Sequence, residues 1–454
     1  MGHPARDIKG GSAVLTGNNR RLNLAALVSL GLLVVGNLAY PDTAVKLALH
    51  AGPIRVSPLA LEFVLAAPVL VWFVVRNRSR LSWGAIDLLL ITALIFVVIR
   101  GSMTATNGNE LGLVLAFGGY IILLYYGAAI VGQNGLQVLF GMLVTMGIIA
   151  AAYALVEFVL KDNILYGGII KKSLLPFAGK GYYRSSSTLG QPDVLGIFMI
   201  QVAPFLIFFF LRAAGKVRTA LWGVAILLVS LALFVTYSKG AWITALVLAV
   251  TGLGWLVWRR RVLSKRLLIL MLVLAVGIGF FTSIFYSTVQ AGTISKARTS
   301  ESIKPREYMW ARVPRTFLAN ALFGAGLYQG NAEIFRVNPA PNLKNRPTAI
   351  DNLYMTVIVE QGLVGTILIA GAFWLIGSKG FKTMRTSGFA QSWGWPLVAS
   401  MAAVLIEGVV TSNLMIWPIM VVFWLIAGML RALAQVSERQ ENHYDKYDSL
   451  SALP

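Results

Sequence analysis

Apolar runs of about twenty residues recur along this 454-residue chain with short polar connectors between them, and that recurrence leaves few folds open. A helix can cross a bilayer because its backbone N–H and C=O groups pair within the segment, whereas a soluble fold has no means of hiding so much continuous apolar surface. Composition agrees, with 57% hydrophobic residues, 13% charged residues and a mean hydropathy of +0.73. The expected fold is an all-α polytopic membrane protein of about 12 transmembrane helices, with a large external loop between helices 9 and 10. The segments are expected near 22–39, 58–75, 84–99, 111–131, 136–160, 193–211, 220–237, 241–258, 267–286, 353–377, 395–411 and 414–430. Residues 1–21 are polar and partly basic, and no small-residue cleavage site follows the first apolar run, so that run is expected to remain as a helix.

The connectors orient the chain. Arg20-Arg21, Arg76-Asn-Arg-Ser-Arg80, Arg212 with Lys216 and Arg218, Arg259-Arg-Arg261, and Lys379 with Lys382 and Arg385 alternate with connectors carrying only Lys46, Arg55, Arg100 and Lys239. The richer side is cytoplasmic by the positive-inside rule, which places both termini there. The organisation expected is a cytoplasmic tail at 1–21, helices 1–9 over 22–286 with an external loop near 161–192, and a large external loop at 287–352. Helices 10–12 follow over 353–430, then a cytoplasmic tail at 431–454 that reads as disordered from Ser437 onward.

Charge and sparse residue types exclude several chemistries. A formal charge of +21 in a soluble protein would point to nucleic acid, but here the cations sit in connectors, where lipid headgroups are the natural counterions. Membrane lipids are therefore expected partners and nucleic acid is not. The chain has no cysteine, so disulfides, thiol catalysis and thiolate metal sites are ruled out. His3, His50 and His443 are too scattered for a multi-histidine metal site, and neither a metal nor another cofactor is expected.

Both long external intervals are basic, which asks for an anionic ligand on that side. In the first, Arg184 precedes a hydroxyl-rich turn, Ser185-Ser-Ser-Thr-Leu-Gly-Gln-Pro-Asp193. An arginine fork can grip two phosphate oxygens while Ser186, Gln191 and helix-start amides add donors. An interface arginine beside an ordinary helix start explains the same residues equally well. The second interval is too long for a plain connector, and Glu307 to Leu322 has the spacing of an amphipathic helix along the membrane surface. It carries Arg306-x-x-x-Trp310, which on one helix face reads most simply as a stacked pair, with Arg312 and Arg315 close behind. Phe323-Gly-Ala-Gly326 reads as a turn or a close backbone approach.

The interval ends at Asp351-Asn352, with Tyr354 just beyond. A carboxylate there serves as a helix cap, or as a general base that orients an attacking sugar hydroxyl and accepts its proton. Lys239 stands at the headgroup level in the tight turn between segments seven and eight, and Glu157, Glu360 and Glu407 are acids within apolar runs. Several arginines, hydroxyl donors and one carboxylate suit an anionic, lipid-anchored substrate such as a diphosphate, which arginines would also stabilise as a leaving group.

At these residues the chain resembles the O-antigen ligase and O-antigen polymerase superfamily of bacterial membrane glycosyltransferases. The likeness spans roughly 90–430. Arg184 with Thr188-Leu-Gly-Gln-Pro192 and Thr236-Tyr-Ser-Lys-Gly-Ala-Trp242 carry its first part. Arg306-x-x-x-Trp310, Phe323-Gly-Ala-Gly326, Asp351-Asn-x-Tyr354 and Glu360-Gln-Gly-x-x-Gly365 carry the rest. The resemblance implies a metal-independent, inverting transfer from an undecaprenyl-diphosphate-linked glycan donor to a glycan or lipid-linked acceptor, on the outer face of the cytoplasmic membrane. Arg184, Arg306 and Asp351 would be catalytic, with Lys239, Asn352, Tyr354, Arg312, Arg315, Gln191 and Ser186 binding substrate. A flippase and a chain-length regulator are further partners it implies.

Ligases of this group usually carry a histidine before the asparagine, where this chain has Asp351, and residues 287–352 contain none. That departure favours polymerisation of O-antigen or exopolysaccharide repeat units. The alternatives are an O-antigen ligase acting on lipid A-core, a protein O-glycosyltransferase, and a transporter of an anionic or lipid-linked sugar.

Overall fold

A computed structural model describes residues 17–39, 49–51, 54–56, 58–165, 174–177, 180–260, 306–338, 350–385 and 389–451. The chain is an all-α membrane protein. Its helices are α1 (Gly17–Ala39), α2 (Pro58–Arg76), α3 (Ala85–Thr104), α4 (Gly108–Ile130), α5 (Gln133–Leu160), α6 (Pro192–Arg212), α7 (Lys216–Val235) and α8 (Lys239–Arg260). Beyond them lie the short α9 (Val313–Ala319) and α10 (Gly330–Val337), then α11 (Leu353–Arg385), α12 (Phe389–Glu407) and α13 (Trp417–Ser451). Among the described residues, seven helices are long and apolar enough to cross a membrane: α3, α4, α5, α6, α7, α11 and α13. Shorter apolar helices occupy Asn23–Leu38 and Lys239–Gly252. The apolar interval at 267–286 lies outside the described residues.

α13 is the axis of the bundle. Its apolar stretch is 94% buried, against 17% for α7, and it packs on α4, α12, α11 and α1. Around it, α6 packs on α7 and α12, and α3 on α11. α13 continues through Ser451, so residues 437–451 are helical, in contrast to the disordered tail expected. Lys379 anchors the continuation through Glu438 at 2.9 Å.

Helix ends follow local chemistry. Asn107 Oδ1 accepts from Glu110 N at 3.0 Å to cap α4, and Asp87 Oδ2 accepts from Gly84 N at 2.9 Å at the start of α3. α6 begins with Pro192 and carries Asp193 in its first turn and Arg212 in its last, all favourable to the helix dipole. Asp87 also receives two guanidinium nitrogens of Arg431, which further donates to Ser82 O at 2.8 Å. That buried pair staples α3 to α13.

The glycine motifs form one joint. α11 is broken at Gly362, with φ +61°, and the freed backbone pairs with residues 321–326. Ala325 N donates to Val359 O at 2.9 Å, Gly326 N to Glu360 O at 2.8 Å, Leu363 N to Ala321 O at 2.8 Å and Val364 N to Leu322 O at 3.1 Å. A Cβ at Gly324, also at positive φ, would lie 2.3 Å from Glu360 O, and one at Gly362 would lie 2.4 Å from Gly324 N. Both positions therefore demand glycine. Arg100 completes the joint by donating from Nη2 to Gly324 O at 2.6 Å.

Candidate functional site

Residues 306–310 form a helical turn separated from α9 by Ala311 and Arg312, so the surface helix expected over Glu307 to Leu322 is two short pieces. The break falls just before Pro314, whose missing N–H and ring suit the first turn of a new helix. Met309, Val313, Ile334, Ile350 and Val359 bury together and seat these pieces on α11. Arg306 Nε then lies 3.2 Å from Asp351 Oδ2, with both side chains about two-fifths exposed. Trp310, expected as a stacking surface, donates from its Nε1 to Ile350 O at 2.7 Å. Both ends of Arg306-x-x-x-Trp310 thus hold the peptide at 350–351.

Asp351 has φ +48°, in the left-handed region that Asp tolerates better than most residues. The cap of α11 falls to its neighbour, since Asn352 Oδ1 accepts from Met355 N at 2.9 Å. Asn352 Nδ2 donates to Val409 O at 2.7 Å and Leu353 N to Gly408 O at 2.7 Å. Tyr354 reaches sideways, donating to Leu405 O at 2.6 Å. The end of α12 therefore braces the segment that presents Asp351, and Asn352 and Tyr354 spend their polar atoms on that brace.

The polar interval before α6 forms a second corner. Arg184 Nη2 pairs with Asp193 Oδ1 at 2.8 Å and its Nε donates to Thr236 O at 2.8 Å. Ser185 N also donates to Val235 O at 3.1 Å, tying this corner to the turn that carries Lys239. Lys239 and Gln191 are exposed at the starts of α8 and α6. Glu157, buried on α5, accepts from Tyr183 Oη at 2.6 Å, Ser186 Oγ at 3.1 Å, Ser186 N at 3.1 Å and Ser187 N at 2.6 Å. The Ser186 hydroxyl is thus turned inward. Burial and the Glu157 hydrogen bond together push the Tyr183 phenol well above its ordinary pKa.

Glu407 ties α12 to α8: it is fully buried at the end of α12 and its Oε2 accepts from Thr244 Oγ1 at 2.9 Å. Its Oε1 makes no hydrogen bond. Glu360, by contrast, is enclosed beneath the glycine joint, with Gly330 N donating to its Oε1 at 3.3 Å. Arg312 lies flat on Tyr308, its Cζ 3.4 Å from the ring centre, and Arg315 is exposed on α9. Unlike Arg184, Arg306 and Asp351, the acid at position 193 does not stand out in the sequence as a partner. Its spacing of nine residues after Arg184, across a tight turn, was the available signal. Among the described residues no group of three or more His, Cys, Asp or Glu gathers as a metal cage would.

The arrangement offers two arginines, each already paired with a carboxylate. Such paired cations suit an anion able to outcompete a carboxylate, as a diphosphate can through several charge-assisted bonds. Comparison with known families identifies a Wzy_C domain, described as O-antigen ligase, over residues 223–370. This agrees with the superfamily that the motifs resemble. The match runs from α7 into α11 and contains Lys239, Arg306 and Asp351, while Arg184 lies before it. A search of curated proteins gave no match.

Proposed function

We propose that this protein is a membrane glycosyltransferase of the O-antigen ligase type, moving an oligosaccharide from an undecaprenyl-diphosphate carrier to a hydroxyl acceptor. The observation that carries the reading is the Arg306–Asp351 pair, set in the matched domain. The domain match favours the ligase, with lipid A-core as acceptor, over the polymerase. The lack of histidine in residues 287–352 is the specific observation that keeps repeat-unit polymerisation as the second reading.

In the proposed reaction, Arg306 and Arg184 exchange their carboxylates for oxygens of the donor diphosphate. Asp351, released from Arg306, receives the proton of the acceptor hydroxyl as its oxygen attacks the anomeric carbon from the face opposite the diphosphate. The new C–O bond forms as the anomeric C–O–P bond breaks, so the configuration inverts and the lipid diphosphate leaves with its charge held by the two arginines. Two residues beyond Asp351, Leu353 edges a small apolar cavity of about 60 Å³ between α3, α4, α11 and α13. The positive-inside pattern puts this corner on the external face of the inner membrane, where a flippase delivers the donor and a chain-length regulator would act.

The test is complementation of a deletion strain. Asp351→Asn and Arg184→Ala are expected to abolish transfer while protein in the membrane stays at wild-type level. Normal surface glycan in both variants would sink the assignment. In the deletion strain, unmodified lipid A with stranded polymer indicates the ligase, whereas lipid A bearing a single repeat indicates the polymerase.

A further inference from the structure

The opposite end of the bundle holds a second polar cleft. From Trp417 to Gln435, α13 descends 18 residues, roughly 27 Å at the rise of an α-helix, away from the Arg306–Asp351 corner. There a small cleft of about 90 Å³ is lined by Arg80, Ala129, Ile130, Val131, Gly132, Ala432, Gln435 and Val436. None of these residues is acidic. Three independent features give it anion character.

Arg80 comes from the connector that also carries Arg76 and Arg78. Gly132 is the N-cap of the 28-residue α5 and supplies no side-chain cap, so the positive end of that helix dipole and its first amides face this end. Gln435 is 7% exposed, and its buried Nε2 has no hydrogen-bond partner. A buried amide N–H₂ left without an acceptor costs free energy, and a ligand oxygen in the cleft removes that cost. The Arg431–Asp87 staple one turn away holds α13 and α3 in place without spending either charge on the cleft.

We propose that this cleft binds the phosphodiester headgroup of an anionic phospholipid. The apolar floor from Ala129, Ile130, Val131, Ala432 and Val436 favours a lipid over free phosphate, since it offers contact to the glycerol and first acyl carbons. The position suits a lipid of the leaflet opposite the proposed transfer site. Bound there, the headgroup bridges the α2–α3 connector, the α4–α5 turn and α13.

The experiment uses the full-length protein, purified and probed by native mass spectrometry with phosphatidylglycerol, phosphatidylcholine or inorganic phosphate. Wild type is expected to retain phosphatidylglycerol in preference to phosphatidylcholine. Gln435→Leu and Arg80→Gln should each weaken that retention about tenfold, the scale of one hydrogen bond to a charged group. Arg80→Gln, at a half-buried connector residue, carries the test if Gln435→Leu does not fold. Equal retention of the two lipids, or undiminished retention in folded variants, overturns the proposal. Displacement of phosphatidylglycerol by inorganic phosphate overturns the lipid assignment in favour of a free-phosphate site.

Discussion

The indole Nε1 of Trp310 donates to the carbonyl oxygen of Ile350 at 2.7 Å, fixing the peptide plane just ahead of Asp351. The bond matters because Asp351 sits at φ +48°, a conformation held only where its surroundings over-determine it. Arg306, one helical turn before Trp310, takes the carboxylate itself. One short helical turn thereby sets both the backbone and the side chain of the proposed base.

Trp310→Phe keeps the ring and removes the N–H. The lost bond is worth about 1 kcal/mol, so kcat should fall several-fold with KM little changed, because Arg306 still meets the donor. Rates measured with a lipid-diphosphate donor in proteoliposomes decide this. A rise in KM alone would place Trp310 in donor binding instead.

Glu157→Gln should loosen the Arg184 corner. A carboxylate accepts from Tyr183, Ser186 and Ser187 together, whereas an amide presents its N–H₂ to donors it cannot satisfy. We expect a loss of about 2 kcal/mol in stability, seen as a lower thermal midpoint, and weaker donor binding. An unchanged midpoint would refute the anchoring role.

Gly362→Ala forces a Cβ into the backbone of Gly324 at positive φ. A loss of about 2 kcal/mol or more is expected, with Gly324→Ala equivalent in effect because both strike the same joint. Thermal unfolding of the two single variants and the double tests this, and strict additivity would argue against a shared joint.

Glu333 provides a pH-dependent tie outside the membrane spans. Its hydrogen bonds from Arg336, and then from Asn320 Nδ2 at 2.6 Å, hold its carboxyl below the ordinary carboxylate range. A depressed folded pKa contributes stability that is present above the unfolded value and is lost as pH falls through the folded one. Glu333→Gln should therefore lower the thermal midpoint at neutral pH and narrow its difference from wild type in acid. A gap between the two proteins that widens on acidification would contradict that sign.

The helices over the apolar runs were legible because twenty apolar residues in succession have one low-energy environment, whatever surrounds them. Arg184, Arg306 and Asp351 were legible as candidates because cations and a carboxylate at helix mouths stand out against such a background. Their partners were not. Pairing Arg184 with Asp193 depends on the turn at 187–191, where Ser187 and Gly190 take positive φ. Anchoring by Glu157 depends on bringing α5 under that turn, and Glu360 is drawn into the glycine joint instead of the corner.

Arg306 and Asp351, both within the polar interval, are 45 residues apart, and composition alone could place them anywhere along the surface. By itself the sequence determined that this protein is a bundle of membrane helices with a basic polar interval, since hydropathy acts segment by segment. Only the tertiary structure decided that Arg306 and Asp351 meet, that Asn352 and Tyr354 serve the brace, and that Glu407 is turned to Thr244. Hydrogen bonds and ion pairs are short-range and directional, so they form only after the helices have packed.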